Sequence, residues 1–152
     1  MEVETAIRKY LLAQSGVTGY VGGRVYKFQL MEPVHATSHR AVVIKRVGQW
    51  GTPDSVQTSE YPLVQVECWA DPDRDADGNV LVMNALDKAF AVQRTIDPFL
   101  HGKRGVKFSD LDVVSTQRWS ESIIVTQDDQ HGQGNMGDAA YVATRYALHV
   151  VH

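Results

Sequence analysis

Apolar positions along the chain recur with two periods. Val3, Ala6, Ile7, Tyr10 and Leu11 return at three- and four-residue spacing with Glu2, Glu4, Arg8 and Lys9 between them, which predicts an amphipathic helix over 3–13. Ser15-Gly16 reads as its stop, and Gly19 with Gly22-Gly23 reads as a flexible lead into a strand over 24–28. The run 41–47 predicts a second strand. Residues 63–70 alternate: Val64, Val66, Cys68 and Ala70 form a small apolar row expected inward, and Leu63, Gln65, Glu67 and Trp69 a mixed row expected outward. A second helix is predicted over 80–94, its stripe made by Val82, Ala85, Leu86, Ala89 and Phe90. Pro98, Gly102 and Gly105 make 96–105 read as a connecting loop. Segments 112–118 and 123–127 read as a hairpin around Ser120-Glu121. The closing strand, 139–151, sets Val142, Tyr146, Leu148 and Val150 on one face and Tyr141, Arg145 and His149 on the other.

Strands joined mostly by loops, with one crossover helix, predict a single α+β domain over residues 1–152. The expected fold is a mainly antiparallel β-sheet flanked by two α-helices, with two long protruding loops. Those loops, 48–60 and 127–138, are polar, rich in turn-forming residues and longer than a plain connection needs. Such arms suit contacts between subunits, being ordered when they meet a neighbour. The first carries Trp50, which has to dock either on its own chain or on another. Candidate interaction residues are therefore Trp50 and Asp54 in the first loop and Gln130, His131, Asn135 and Met136 in the second. Arg118 and Arg145 join them, on strands with an outward row.

Composition narrows the function classes. Hydrophobic residues make up 43% and charged residues 22%, an ordinary globular mix that argues against whole-chain disorder. The formal net charge of −3 supplies no general attraction for a phosphate backbone, so tight DNA binding is not expected, whereas DNA sliding past an acidic surface is compatible. Acids follow Met1, and no apolar run approaches the roughly 18 residues needed to span a bilayer, so neither export nor membrane insertion is expected. Cys68 is the single cysteine; it excludes an internal disulfide, fits a reducing cytosol and reads as a small buried hydrophobe.

Candidate chemistry is thin. Asp73-x-Asp75-x-Asp77-Gly78 matches the first half of a calcium loop, but Asn84 stands where the bidentate glutamate belongs and a strand, not a helix, precedes it. The competing reading is a solvated turn whose acids favour the dipole of the following helix. His35 and His39 stand near Pro33, which argues against one helical face, and His149 and His152 point to opposite faces of a strand. No hydrolase elbow or accessible thiolate is visible, so neither an enzyme nor a cofactor is expected.

The order of elements resembles one family. An amphipathic first helix leads to Gly22-Gly23-Arg24-Val25-Tyr26. A strand over 64–70 with Cys68-Trp69, a second helix and a closing strand over 141–150 follow. This arrangement is similar to the tail-terminator (tail-completion, tail-to-head joining) proteins of long-tailed bacteriophages. The resemblance implies a virion component at the tail-neck junction, assembled in the host bacterial cytoplasm. It would form a hexameric ring of identical chains that caps the head-proximal end of the tail tube, stops tube growth and joins tail to head. The implied partners are further copies of itself, the tail tube protein and the head-closure protein of the neck, with DNA met only in passage through the lumen and no membrane. The matching positions are scaffold positions and transfer no active site. The acid-rich turn 71–78 and the insertion-like run 127–137 depart from the pattern and leave a head-closure or adaptor role open. Outside this class stand a small calcium-binding module and a cytosolic hydrolase built on carboxylates.

Overall fold

A computed structural model of the protein describes residues 2–28, 40–52, 58–120, 123–126 and 139–152, with the backbone alone over 123–126. Helix α1 (Val3–Leu12) forms where the apolar spacing predicts it and buries Val3, Ala6, Ile7 and Leu11. The segment read as a stop and flexible lead instead folds as a short helix, α2 (Ser15–Val21). Val17 and Val21, four apart, give it a buried stripe that outweighs its two glycines, and a Cβ at Gly16 would already stand 3.4 Å from the Phe99 ring. Gly22 ends α2 at φ 63°, a conformation that favours glycine. Strands β1 (Val25–Lys27), β2 (Arg40–Gln49), β3 (Ser59–Glu60) and β4 (Pro62–Ala70) follow.

The second half departs more from the periodic reading. Val80–Val82, expected to begin a helix, is a strand, β6, paired with β5 (Asp73–Arg74) in a separate two-stranded hairpin. The reason is local: Asp75 Oδ1 accepts the backbone N–H of both Asp77 and Asn79, and Gly78 adopts φ 84°, so the chain reverses before any helix can start. Helix α3 then runs from Ala85 to Leu100, through the stretch expected to be a loop and across Pro98. Burying Ile96 and Leu100 contributes roughly 2 kcal/mol each, against about 3 kcal/mol for an interior proline. The apolar stripe therefore carries the helix on to Leu100, with His101 as an extended cap and Gly102 beyond it at φ 72°.

Strands β7 (Arg104–Phe108), β8 (Leu111–Arg118), β9 (Ile123–Thr126) and β10 (Ala140–Val151) complete the main sheet, in the order β1-β2-β4-β10-β8-β7. Only β1 and β2 pair in parallel; every other pairing among the described residues is antiparallel, giving the expected α+β class. The twelve-residue β10 is the axis. One of its edges takes β4 along 140–147 and β3 at 150–151, and the other takes β9 along 140–143 and β8 along 146–151. The hairpin expected of 112–118 with 123–127 thus does not form: β8 and β9 lie end to end on one edge of β10. β8 has a different hairpin partner, β7, joined through Ser109-Asp110.

All three helices pack on one face of this sheet. The core joins Val42, Ile44, Val64, Val66, Cys68, Tyr146, Leu148 and Val150 to the buried stripes of α1, α2 and α3. α1 reaches both outer strands: Arg8 Nε donates to the Val25 carbonyl at 2.7 Å, and the Tyr10 ring stacks on Phe108 at 4.2 Å. One helix touching both edges means that the sheet curls around it. Cys68 lies in this core, where burial pushes its thiol well above the ordinary range. A haloacetamide should accordingly leave the native protein unlabelled for hours and modify it stoichiometrically in denaturant; rapid labelling of the native chain would contradict this burial.

Candidate functional site

The helix-free face of the sheet is built from three registered rows. Ala41, Trp69 and Tyr141 form the first, Val43, Glu67 and Ala143 the second, and Lys45, Gln65 and Arg145 the third, each crossing β2, β4 and β10. Alternation along the strands aims these side chains away from the helices. The row expected to lie outward is nevertheless largely buried, with Glu67 and Trp69 keeping only 3% and 8% exposure. The cause is a second layer of side chains. The Trp69 and Tyr141 rings stack at 4.5 Å, Ala41, Val43 and Tyr26 pack around them, and three donors converge on Glu67. Lys45 Nζ stands 2.7 Å from Oε2, Gln65 Nε2 donates to the same oxygen at 3.0 Å, and Trp69 Nε1 donates to Oε1 at 3.2 Å. A buried carboxylate so fully satisfied fixes the surface that it supports.

Aromatic rings crowd the far end of this face. Trp50 is half-buried and docks on its own chain: its Nε1 donates to the Leu148 carbonyl at 2.7 Å, and its ring packs edge-on against Tyr61 and obliquely against Trp119. Tyr61 stacks in turn on His149 at 4.6 Å. Gly51 is needed here, since a Cβ would meet the Tyr61 ring at 2.9 Å. Trp119, half exposed, forms the outer wall, its backbone N–H donating to the Arg145 carbonyl at 2.8 Å.

The two arginines singled out from sequence diverge. Arg145 lies on the helix-free face and donates through Nε to Gln65 Oε1 at 3.1 Å. Arg118 does not lie on that row: it stands opposite Tyr146 and turns to the helices, where Nε and Nη2 both engage Asp97 of α3. The Tyr146 hydroxyl donates to the same carboxylate at 2.7 Å, and burial, with Asp97 beside it, pushes that phenol above its ordinary range. Asp54, Gln130, His131, Asn135, Met136 and the loop 127–138 lie outside the described residues.

The β5–β6 hairpin is the feature that periodicity missed. Its root is a buried ion pair: Asp71, fully enclosed, takes Arg74 Nε at 2.6 Å and Nη2 at 3.1 Å, while Arg74 Nη1 reaches across to the Gly78 carbonyl at 2.9 Å. Its other strand leads into Leu81, Val82 and Met83, exposed by 65%, 56% and 67%. Three consecutive exposed apolar side chains on a braced projection form a surface that water does not favour. Their run was visible in sequence, but the helical period assigned Val82 to the core.

Of the calcium-loop acids, Asp73 accepts from Asn84 Nδ2 at 2.8 Å and Lys88 Nζ at 3.1 Å, and Asp75 holds the turn. Asn84, standing where the bidentate ligand would be, is thus bonded to the first acid. Asn84 and Lys88 hold the Asp73 carboxyl below the usual carboxylate range. A depressed carboxyl stabilises the fold above its unfolded value of about 3.9 and loses that contribution as pH falls through the folded value. Asp73→Asn should accordingly melt below the parent at pH 7, with the gap closing in acid. A gap that stays constant with pH would contradict this.

Among the described residues, no group of three or more His, Cys, Asp or Glu could hold a metal ion. The arrangement is a curled sheet with an aromatic and charged back and, at the opposite end of β10, an apolar hairpin. No family model and no curated protein matches the chain. Among solved structures it is similar to a chain from "Virion of native gene transfer agent (GTA) particle", at a TM-score of 0.56 and 14% identity, covering 99% of this chain and 95% of that one. At that identity the likeness is one of fold, shared along nearly the whole length of both chains.

Proposed function

We propose that this chain is a structural component of a phage-like virion, and within it the tail terminator: a ring of identical subunits that closes the head-proximal end of the tail tube and joins tail to head. The observation that carries the virion reading is the end-to-end likeness in fold to a chain of the gene transfer agent virion. The position within the particle rests on the resemblance of the first helix, Gly22-Gly23-Arg24-Val25-Tyr26, the Cys68-Trp69 strand and the closing strand to tail-terminator proteins. The hairpin supports assembly over catalysis, because its exposed Leu81, Val82 and Met83 need a protein surface to cover them. Ring closure from identical chains uses two different patches on each subunit, and Trp50, Arg145 and the loop 127–138 remain proposed contacts alongside the hairpin. The chain acts by shape and needs no cofactor or chemical step.

The test is electron microscopy of particles made without the protein, together with the mass of the isolated protein or of its complex with tail tubes. Overlong tubes or headless tails, with six-fold rings on complementation, are expected. Normal tails in its absence overturn the terminator role, and filled heads that leak DNA while tails stay normal in length would move the assignment to head closure.

A further inference from the structure

On the reading that identical chains close a ring, we infer that the β5–β6 hairpin of one copy seats on the tryptophan end of the helix-free face of the next, so that the chain associates with itself head to tail. The two surfaces differ in chemistry and in charge. The first is aliphatic, made by the exposed Leu81, Val82 and Met83. Asp71, Asp73, Asp75 and Asp77 against the single Arg74 give this segment, 71–84, a formal charge of −3.

The second surface is aromatic and basic. Trp119, half exposed, packs on Trp50, and its backbone N–H meets the carbonyl of Arg145, whose own side chain bonds the neutral Gln65. Arg104, exposed on the edge strand β7, stands across Ser115 from His149 in the sheet register. Neither arginine enters an ion pair among the described residues, and neither does Asp77 at the turn of the hairpin. Each surface therefore carries charge that its own chain leaves unmatched.

Within one chain the two cannot meet. The hairpin follows Ala70, which stands opposite Ala140 at one end of β10, whereas Trp50 bonds the Leu148 carbonyl about 26 Å further along that strand. Between copies they complement each other: a methionine and aliphatic side chains against indole rings, and aspartates towards arginines. Symmetric contacts lack this match. Hairpin on hairpin would oppose two acidic segments, and tryptophan end on tryptophan end would oppose two pairs of arginines. A head-to-tail contact uses both surfaces of every subunit, and it closes into a ring where the rotation between neighbours allows.

The experiment mixes two half-defective variants of the full chain. Leu81→Asp with Met83→Asp removes the hairpin anchors and keeps the tryptophan end; Trp119→Ser does the reverse. Sedimentation equilibrium at up to about 1 mM should show oligomers for the parent, monomer for each variant alone, and a dimer that grows no further for the equimolar mixture, since each mixed pair keeps one intact contact. Arg104→Glu in the parent should weaken association about tenfold at low salt and less in about 1 M salt, and it replaces Trp119→Ser in the mixture if that variant does not fold. A monomeric parent, a monomeric mixture, or either variant associating alone as the parent does would overturn the pairing. Rings on tails alongside any of those results would leave the terminator reading standing. Conversely, the expected dimer together with normal tails in particles lacking the protein would overturn the terminator role and leave the pairing intact.

Discussion

Replacing Asp71 by alanine should cost about 3 kcal/mol of folding stability, a large effect for a single polar substitution. Asp71 is fully enclosed and its Arg74 partner has a side chain only 14% exposed, so the loss leaves a guanidinium in a site that water hardly reaches. The Lys107–Asp112 pair is the contrast. At 2.9 Å it is a good contact, but its side chains are 67% and 60% exposed, and Asp112→Ala should change stability by less than about 1 kcal/mol. The distances are similar; the difference is desolvation. Removing both partners, Asp71→Ala with Arg74→Ala, should recover part of the loss, because no charge is then stranded. Urea denaturation of the three variants and the parent checks this. An Asp71→Ala cost as small as that of Asp112→Ala would mean that the hairpin root is open to solvent.

Sequence periodicity was legible where one face decided the element. The stripe of α1, the alternation of Val64, Val66 and Cys68 on β4, and the two faces of β10 follow from period alone, and with them the antiparallel centre of the sheet. It failed where a short-range device competed. The Asp75 side chain and Gly78 reverse the chain just before a run, Val80-Leu81-Val82-Met83, whose spacing also fits a helix. Pro98 and Gly102 looked like loop punctuation because the burial of Ile96 and Leu100 belongs to tertiary packing. The hairpin expected at Ser120-Glu121 failed for a different reason: local turn signals do not reveal that a twelve-residue strand has edge enough for two short partners in line.

The same distinction explains the candidate site. Trp50 could be singled out as an aromatic ring in a polar loop, but its hydrogen-bond acceptor, Leu148, lies 98 residues away, and no local pattern encodes it. Arg118 and Arg145 looked equivalent as outward positions. The register on β10 separates them, pairing Arg118 with Tyr146 on the helix side and Arg145 with Gln65 on the other. Glu67, an ordinary acid in sequence, becomes the hub of the helix-free face only because Lys45 and Trp69 reach it from β2 and from its own strand.

Leu81→Asp combined with Met83→Asp should leave the fold intact and strongly weaken assembly. Both side chains are more than half exposed, so neither contributes much to the core, and the melting temperature should stay close to that of the parent. The hairpin that presents them is braced by the Arg74–Asp71 pair and by the contacts of Asp73 with Asn84 and Lys88, so the surface is preorganised and a partner would meet little conformational cost. Apolar anchors on a rigid projection are where binding energy concentrates, and a carboxylate at each position would have to be desolvated against the partner. Incorporation into particles, or self-association of the isolated chain, should fall by about tenfold or more. Val114→Asp is the matched control, a 42% exposed apolar residue standing singly on β8, and it should assemble normally. If the hairpin variant assembles as well as the Val114 variant, the β5–β6 tip is not an interface and the contacts that close the ring lie elsewhere on the subunit.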